Sequence, residues 1–212
     1  MYRWNLVNQI ADAGLVPVIR ATGAEQATML VKAVAEGGAE TVEITMTVPG
    51  ALESLRAASG TGLLVGAGTV LDAETARLCL LHGAQYLVTP GLCPEVIKVA
   101  HRYGKPALVG AQTVSEAIWA LEEGADIIKL FPGSHLGPAF LKALRGPLPQ
   151  APCMPTGGVS LQTLGAWLDA GAIAVGVGSE LTAPAARGDH AGVTALARQY
   201  VTAIREARAS MR

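Results

Sequence analysis

The chain has 212 residues and a formal net charge of −1 at pH 7; 50% of the residues are hydrophobic and only 4% are aromatic. That length suits one well-packed α/β domain over residues 1–212 and is short for two. Acidic and basic residues are interspersed, so nothing indicates binding to nucleic acid or to an anionic membrane. No apolar run approaches the roughly 20 residues that cross a bilayer, and the N-terminus lacks a signal-peptide pattern. We therefore expect a cytoplasmic protein.

The chain begins with a helical pattern over residues 1–14. Tyr2, Leu6 and Ile10 recur every four positions, which places them on one face of a helix. A strand pattern follows directly, so this helix precedes the first strand rather than connecting two strands. We expect it to cover one end of the fold.

A repeated Gly-Ala pair then divides the chain. Each pair follows a helical pattern, where glycine is typical of the residue that ends a helix, and each precedes a short apolar strand. The spacing between pairs is too long for one strand–helix unit and right for two, so another strand lies in each interval. The pairs are Gly38-Ala39, Gly83-Ala84, Gly124-Ala125 and Gly171-Ala172; the strands after them are 40–43, 85–88, 126–129 and 173–176, and the intervening strands are 15–20, 63–66, 106–109 and 153–155.

Helix starts follow the strands in step. The sequences Thr22 to Glu25 and Thr113 to Glu116 fit a capping box, in which threonine and glutamate side chains satisfy backbone N–H groups. Pro49 and Pro94 stand where a first helical residue is expected, and Asp72 and Ser160 are expected N-caps.

Eight strands that alternate with eight helices, without a second composition regime, predict a single (βα)8 TIM barrel of the α/β class. The extra N-terminal helix would cap the bottom of this barrel.

One predicted strand carries a lysine at its centre. Lys129 stands in an apolar strand that ends at Pro132-Gly133. Burial would remove hydration from its amine, disfavour the ammonium form and leave more free amine to attack a carbonyl. This is how a Schiff-base lysine arises. The alternative is a structural lysine paired with a buried carboxylate, and the strand alone does not decide between them.

A carboxylate is predicted to meet this lysine. Counting five residues on from each repeated glycine gives Glu43, Val88, Lys129 and Gly176. Alternate barrel strands contribute to the same interior layer, so these residues should lie at similar height. Glu43 and Lys129 would then face each other near the catalytic end. A structural ion pair is the alternative, but it would add little net stability after desolvation, so we favour a functional pair.

The C-terminal ends of the strands are where chemistry occurs in this fold. Loops after strands 7 and 8 contain glycines before helix starts, which lets backbone N–H groups and a helix N-terminus approach an anion. We therefore predict phosphate binding there. The candidates are Gly157, Gly158, Gly178 and Ser179, and the remaining strand ends offer Arg20, Thr45, Thr47, Thr69, Pro90, Phe131 and Thr156.

Metal chemistry is not expected. Only His135 closely follows a strand end, and the strand ends show no His, Asp and Glu cluster with metal-ligand spacing. Cys79, Cys93 and Cys153 lie far apart and predict free thiols. We predict an enzyme without a metal or other cofactor.

The ordered set of these motifs resembles the class I 2-dehydro-3-deoxy-6-phosphogluconate (KDPG) and 4-hydroxy-2-oxoglutarate (KHG) aldolases, which include the related phosphogalactonate aldolase. The resemblance covers almost the whole chain. Its motifs are Val42-Glu43-Ile44-Thr45, Gly66-Ala67-Gly68-Thr69-Val70, Thr89-Pro90-Gly91, Lys129-Leu130-Phe131-Pro132, Pro155-Thr156-Gly157-Gly158 and Gly178-Ser179.

The resemblance implies cleavage of KDPG to pyruvate and D-glyceraldehyde 3-phosphate, and possible activity on KHG, which would give pyruvate and glyoxylate. It implies that Lys129 forms the Schiff base and that Glu43 moves protons. It also assigns Thr69 to binding the substrate carboxylate and Thr156 to a hydrogen bond within the site. Pro90 and Phe131 belong to the substrate-binding site, and the phosphate would be bound by Gly157, Gly158, Gly178 and Ser179. The family is typically homotrimeric.

One position departs from the resemblance. Many members have a carboxylate-binding arginine where this chain has Thr47, and Arg20 at the end of strand 1 is the expected substitute, although it could instead form a salt bridge at the rim. Two other classes stay open: a phosphate-binding barrel isomerase or transferase, such as an enzyme like thiamine-phosphate synthase, and a non-catalytic sugar-phosphate binder.

Overall fold

A computed structural model describes residues 2–210 as a ring of parallel strands surrounded by helices. The strands are β1 (Leu15–Ile19), β2 (Thr41–Thr45), β3 (Leu64–Gly68), β4 (Tyr86–Val88), β5 (Ala107–Ala111), β6 (Ile127–Leu130), β7 (Cys153–Pro155) and β8 (Val175–Val177). The helices are α1 (Arg3–Ala13), α2 (Ala24–Glu36), α3 (Ala51–Ala58), α4 (Ala73–Leu81), α5 (Pro94–Arg102), α6 (Val114–Glu122), α7 (Gly133–Leu144), α8 (Leu161–Asp169), α9 (Ser179–Thr182) and α10 (His190–Ser210), with a 3₁₀ turn at Ala183–Arg187.

Strand pairing confirms the predicted barrel. Each strand from β1 to β6 pairs in parallel with the next strand in sequence, and β8 pairs in parallel with β1. A bridge between Thr156 and Gly176 joins the ends of β7 and β8 and nearly closes the ring. All eight strands therefore end at one mouth of the barrel, where the candidate residues of the sequence analysis are expected.

The barrel interior is a separate apolar core. It is made of inward side chains of the strands together with Leu6 and Ile10 of α1, both fully buried. The side chains of Leu6 and Ile10 close the bottom of the ring, as the sequence predicts. The prediction for Tyr2 was wrong: it precedes α1, remains 68% exposed and stacks on Trp4 with ring centroids 4.5 Å apart, because it lies beyond the turn that covers the barrel.

The Gly-Ala pairs form four equivalent helix ends. Each glycine has a φ between +92° and +101°, a backbone conformation that favours glycine. The N–H of the alanine that follows bonds to the carbonyl five residues earlier, as Ala39 does to Val34 and Ala125 to Ala120. This is the Schellman ending of a helix, and each time it leads the chain into the next strand.

Four of the six predicted helix starts are correct. Thr113 and Glu116 form the capping box of α6, Pro94 is the first residue of α5, and Asp72 and Ser160 are the N-caps of α4 and α8. The Thr22 prediction was wrong: α2 begins at Ala24 after Gly23. The side chain of Gln26, one residue beyond the predicted Glu25, accepts the Thr22 N–H and hydroxyl at 2.8 and 2.9 Å.

Pro49 was also wrongly predicted as a first helical residue. The chain first turns through Gly50 at a φ of +75°, and α3 begins only at Ala51.

Within residues 2–210, no helix has the length and apolar character needed to cross a bilayer.

Candidate active site

Glu43 and Lys129 meet inside the mouth of the barrel. Glu43 comes from the middle of β2 and Lys129 from the third position of β6, and their Oε1 and Nζ atoms are 3.7 Å apart. Glu43 is fully buried and Lys129 is only 4% exposed. The predicted juxtaposition is therefore confirmed, and it lies in an environment that excludes most water.

Glycines make the room that these polar side chains occupy. A Cβ at Gly68 of β3 would overlap the carboxylate of Glu43, and a Cβ at Gly176 of β8 would overlap the hydroxyl of Thr156. A Cβ at Gly110 of β5 would overlap the backbone of Pro90. The glycines at strand ends thus set how closely the site residues can pack.

Several buried polar atoms of the site have no hydrogen-bond partner within residues 2–210. They include both carboxylate oxygens of Glu43 and the hydroxyl of Thr156. A buried polar atom left unpaired costs about 1–3 kcal/mol, so such atoms are rare and often mark a functional site. They point to a place where a polar ligand would complete the hydrogen bonding.

Phe131 forms the wall beside the lysine. Its ring centroid is 5.2 Å from Nζ of Lys129, and the Phe131–Pro132 peptide bond is cis. On the outer side of this wall is a cavity of about 440 Å³, a size that suits a small ligand. Pro90, Phe131, Pro132, Gln112 and Trp119 contribute to its lining.

Thr89 braces the loop that carries Pro90. Its hydroxyl donates to the Gly91 carbonyl over 2.5 Å and accepts the Gly110 N–H at 3.4 Å. These bonds join the end of β4 to β5, so they hold Pro90 at the edge of the cavity.

Thr69 has a strained backbone. Its φ is +59°, the only positive φ of a non-glycine residue within residues 2–210. Such a conformation costs on the order of 1–3 kcal/mol and persists where its surroundings impose it, often at ligand sites. Thr69 directly follows β3 and Gly68, so the strain lies beside Glu43.

Thr47 and Arg20 are the two candidates for binding the substrate carboxylate, and the structure distinguishes between them. Thr47 is exposed, and its hydroxyl is 2.8 Å from that of Thr45, which in turn lies 3.1 Å from the Ile19 carbonyl. Arg20 follows β1 on the neighbouring strand and is exposed. Within residues 2–210 it makes neither an ion pair nor a side-chain hydrogen bond. Its guanidinium is thus available to an anion, whereas Thr47 brings no charge.

The phosphate candidates lie at the ends of β7 and β8. Gly157 and Gly158 have φ of +87° and +73°, and a Cβ at Gly158 would come within 2.6 Å of the Ser134 Cβ in the first turn of α7. The Gly133 N–H donates to the Thr156 carbonyl over 2.8 Å. The Gly157-Gly158 turn is therefore packed against the start of a helix.

Gly178 and Ser179 follow β8 on the adjoining strand. Ser179 is exposed and opens the four-residue helix α9, and its hydroxyl donates to the Glu180 carboxylate over 3.1 Å. An anion in this position would have to displace that carboxylate from the serine.

Two residues of the site, Gly68 and Tyr86, are not among the candidates that the sequence predicts. The Glu43 carboxylate rests on Gly68, which the sequence presents only within a motif. Tyr86 lies in the barrel interior with its ring against Gly66. The alternation of inward positions along β3 and β4 was the available signal for both.

No group of three or more His, Cys, Asp or Glu side chains in the described part of the chain is arranged to bind a metal. The three cysteines are unpaired, and burial raises the pKa of Cys79 and of Cys153 to about 12. Their thiolates are therefore scarce at neutral pH, so neither is a reactive nucleophile.

Comparison with known proteins gives consistent results. The family model for KDPG and KHG aldolase matches residues 6–196. A 2-dehydro-3-deoxy-6-phosphogalactonate aldolase of Escherichia coli is 39% identical over 171 residues, which is 79% of this chain and 83% of the relative. A 2-dehydro-3-deoxy-phosphogluconate aldolase of Pseudomonas aeruginosa is 36% identical over 203 residues, covering 93% and 92%.

A solved structure shows the same fold with a trapped reaction intermediate. It is a KDPG aldolase from Legionella pneumophila with pyruvate captured as a covalent carbinolamine. The TM-score is 0.83 at 28% identity, and the alignment covers 91% of this chain and 96% of that one.

Proposed function

The chain belongs to the KDPG and KHG aldolase family, and we propose that it cleaves 2-dehydro-3-deoxy-6-phosphogluconate reversibly to pyruvate and D-glyceraldehyde 3-phosphate through an imine on Lys129. Members of this family are carbon–carbon lyases, so the chain is an aldolase. The observation that carries the proposal is the contact of 3.7 Å between Lys129 Nζ and Glu43 Oε1 in the buried mouth of the barrel. An amine and a proton carrier at this distance are what imine chemistry requires.

The first stage forms the imine. The neutral amine of Lys129 attacks the C2 ketone and gives a carbinolamine. Glu43 then delivers the proton with which the C2 hydroxyl leaves as water, and a protonated imine remains. The positive nitrogen now withdraws electrons from the neighbouring carbons.

The second stage breaks the carbon–carbon bond. Glu43 takes the proton of the C4 hydroxyl, the C3–C4 bond breaks, and its electrons move to the imine nitrogen to give an enamine. The C4 carbon departs as an aldehyde. Protonation at C3 and addition of water then release pyruvate and the free amine. Proton transfer by a positioned carboxylate contributes about 10²–10⁴ in rate.

The remaining site residues hold the substrate. Arg20 pairs with the carboxylate at C1 from the end of β1, and Thr69 supports this carboxylate from the end of β3. Thr47 lies at the same rim and adds only a hydroxyl. The hydroxyl of Thr156, buried and without a partner, is suited to bond a substrate hydroxyl. Pro90 and Phe131 cover the apolar edge.

The phosphate of the departing aldehyde would lie between the ends of β7 and β8. Gly157, Gly158 and Gly178 expose backbone N–H groups there, and Ser179 can turn its hydroxyl from Glu180 to the phosphate. The start of α7 beside Gly158 adds the positive end of a helix dipole.

A phosphogalactonate substrate is the main alternative. It is favoured by the 39% identity to the E. coli phosphogalactonate aldolase. The two sugar acids differ only in configuration at C4, where Glu43 and a substrate hydroxyl would interact. Activity on unphosphorylated 4-hydroxy-2-oxoglutarate, giving pyruvate and glyoxylate, is a further possibility that does not use the phosphate loops.

A pyruvate-release assay on the three substrates tests the proposal. We expect the highest kcat/KM for the phosphogluconate substrate, and none for any substrate in Lys129→Arg, because arginine keeps its proton and cannot attack a carbonyl. The control is Lys98→Arg, an exposed lysine of α5, which should retain full activity. Full pyruvate release by Lys129→Arg would refute the imine on Lys129. Sensitivity to a chelator without any imine would instead support a barrel isomerase or transferase.

We also propose that the protein is a cytoplasmic homotrimer. Large apolar side chains that are 37–57% exposed concentrate on and beside α4 and α6, and burial of such a surface favours association. They are Leu71, Leu78, Leu81, Val114, Ile118 and Trp119. Native mass measurement should give three chains, and Leu78→Glu should shift the protein to smaller species. A wild-type protein with the mass of one chain would refute this part.

A further inference from the structure

Tyr86 is an unexpected residue to find at the centre of the barrel. It is fully buried on β4, and a Cβ at Gly66 would overlap its ring. The other members of the interior core are aliphatic side chains or methionine, and within residues 2–210 the phenolic oxygen has no hydrogen-bond partner. Phenylalanine would fill the same space without leaving a polar atom unpaired.

The carboxylate of Glu43 lies one layer above this phenol. Gly66 and Gly68 are inward positions two residues apart on β3, about 6.6 Å at the usual rise of a strand. The Tyr86 ring packs on the first and the Glu43 carboxylate on the second. Tyr86 thus has an unused donor, and Glu43 has two buried oxygens without hydrogen bonds.

The phenol keeps its proton and can act as a donor. Burial, and after it the charge of Glu43, raises the pKa of Tyr86 well above its usual value, and the hydrogen-bonding side chain of Thr41 beside the phenol lowers this pKa to a smaller extent. The Thr41 hydroxyl gives its own proton to the Leu15 carbonyl over 2.9 Å. Tyr86 is therefore a neutral donor throughout the range in which enzymes work.

Few charged groups surround Glu43. Lys129 faces it from β6 and Tyr86 from β4, while the flanking strands β1 and β3 present Val18 and the two glycines. The inward residues of the other strands at this end are uncharged: Gly110, Thr156 and Gly176. Glu43 therefore depends on Lys129 for electrostatic stabilisation, and it loses this whenever the lysine nitrogen is neutral.

We propose that Tyr86 is a positioning residue that donates a hydrogen bond to the Glu43 carboxylate, directly or through one water molecule, while the amine of Lys129 is free and neutral. At this stage of the proposed reaction Glu43 has to be ionised without a positive charge beside it; at the carbinolamine and the enamine Glu43 itself holds a proton. The hydrogen bond stabilises the ionised carboxylate, which then takes the proton that the nitrogen loses as the carbinolamine forms. This inference rests on the proposed function.

The test compares Tyr86→Phe with the wild-type enzyme over a range of pH. Loss of a hydrogen bond to a charged group makes the ionised carboxylate less stable, so the acid limb of the kcat profile should move to higher pH by about one unit. Borohydride trapping of pyruvate on Lys129 should persist. Thermal stability should be equal or higher, because an unpaired hydroxyl has been removed.

The matched control is Tyr200→Phe. Tyr200 is a tyrosine of α10 that is 2% exposed and donates to the Val159 carbonyl at 3.4 Å, outside the barrel interior. Removing the hydroxyl of Tyr200 should not shift the dependence of kcat on pH. An unchanged profile in Tyr86→Phe, or an equal shift in Tyr200→Phe, would overturn the inference.

A double variant separates action through Glu43 from a general effect. If Tyr86 works through the carboxylate, adding Tyr86→Phe to Glu43→Gln should cause no further loss of turnover. Independent losses that multiply would contradict the inference. A wild-type enzyme that neither traps pyruvate nor cleaves the substrate would refute the proposed function itself. If the wild-type enzyme is fully active and the pH profile of Tyr86→Phe is not shifted, only the inference about Tyr86 fails and the proposed function remains.

Discussion

At the residue scale, the chemistry depends on a single carboxylate that is buried with its oxygens unpaired. Glu43 contacts Lys129 over 3.7 Å and has no hydrogen bond within residues 2–210. A carboxylate held in this way has poor solvation in either protonation state. Such a group is suited to passing protons to and from a ligand rather than to stabilising the fold.

Glu43→Gln should separate binding from proton transfer. Glutamine fills the same space but cannot carry a proton, so kcat should fall about 10²–10⁴-fold. Trapping of pyruvate on Lys129 by borohydride should remain detectable. Turnover near the wild-type rate, measured by pyruvate release, would mean that another group moves the protons.

Arg20→Met tests the assignment of the substrate carboxylate. Loss of a charge-assisted hydrogen bond should raise KM about 10–100-fold, because such a bond contributes more than a neutral one. Arg56→Met, on the exposed side of α3, is the control and should leave KM unchanged. An unaltered KM in Arg20→Met would indicate that Arg20 lies at the rim without contacting substrate.

At the element scale, helix α1 closes the ring on the side away from the chemistry. Its Leu6 and Ile10 complete the interior core, and Arg3 anchors its start through a contact of 3.1 Å with Asp126. Asp126 also lies 2.9 Å from His101 at the end of α5. The helix is thus tied to β6, the strand that carries Lys129.

Leu6→Ala should weaken the fold without altering the chemistry. The substitution leaves a cavity in a fully buried core and should lower the free energy of unfolding by about 2–5 kcal/mol, as measured by urea titration. Asn8→Ala, on the exposed face of the same helix, should change it little. Equal free energies of unfolding for Leu6→Ala and the wild-type protein would show that α1 does not complete the core of the barrel.

Helix α4 offers a test that depends on pH. The Asp72 carboxylate accepts the N–H of Thr75 over 2.6 Å, and this hydrogen bond lowers the pKa of Asp72. A lowered pKa in the folded state means that the stabilisation is present at neutral pH and is lost as the pH falls through that pKa. Asp72→Ala should therefore lower Tm at pH 7, and the difference should shrink in acid. A difference in Tm that stays constant with pH would contradict the role of ionised Asp72 as the N-cap of α4.

The sequence predicted those elements whose signals are local. The four Gly-Ala pairs predicted the helix ends, because an alanine N–H returning to a carbonyl five residues earlier requires a positive φ at the glycine before it. The capping box of Thr113 was equally local. The start of α2 was mispredicted because Gln26, and not Glu25, accepts the Thr22 N–H, and the helix begins only after Gly23.

At the whole-molecule scale, the barrel brings together residues that are far apart in sequence. The repeat was sufficient to predict that Glu43 and Lys129 meet, since inward positions alternate along every strand. It could not predict that the Glu43 carboxylate rests on Gly68 or that the Tyr86 ring rests on Gly66. These contacts depend on the stagger between neighbouring strands, which closure of the whole ring determines. The left-handed backbone of Thr69 is likewise imposed by its surroundings.

The central claim is that the buried amine of Lys129 forms the covalent intermediate, and borohydride reduction in the presence of pyruvate tests it most directly. Peptide mass mapping should find the reduced pyruvate adduct on Lys129 and on none of the other four lysines, and Lys129→Arg should remain unlabelled. An adduct on a different lysine, or no adduct on a fully active enzyme, would contradict the account.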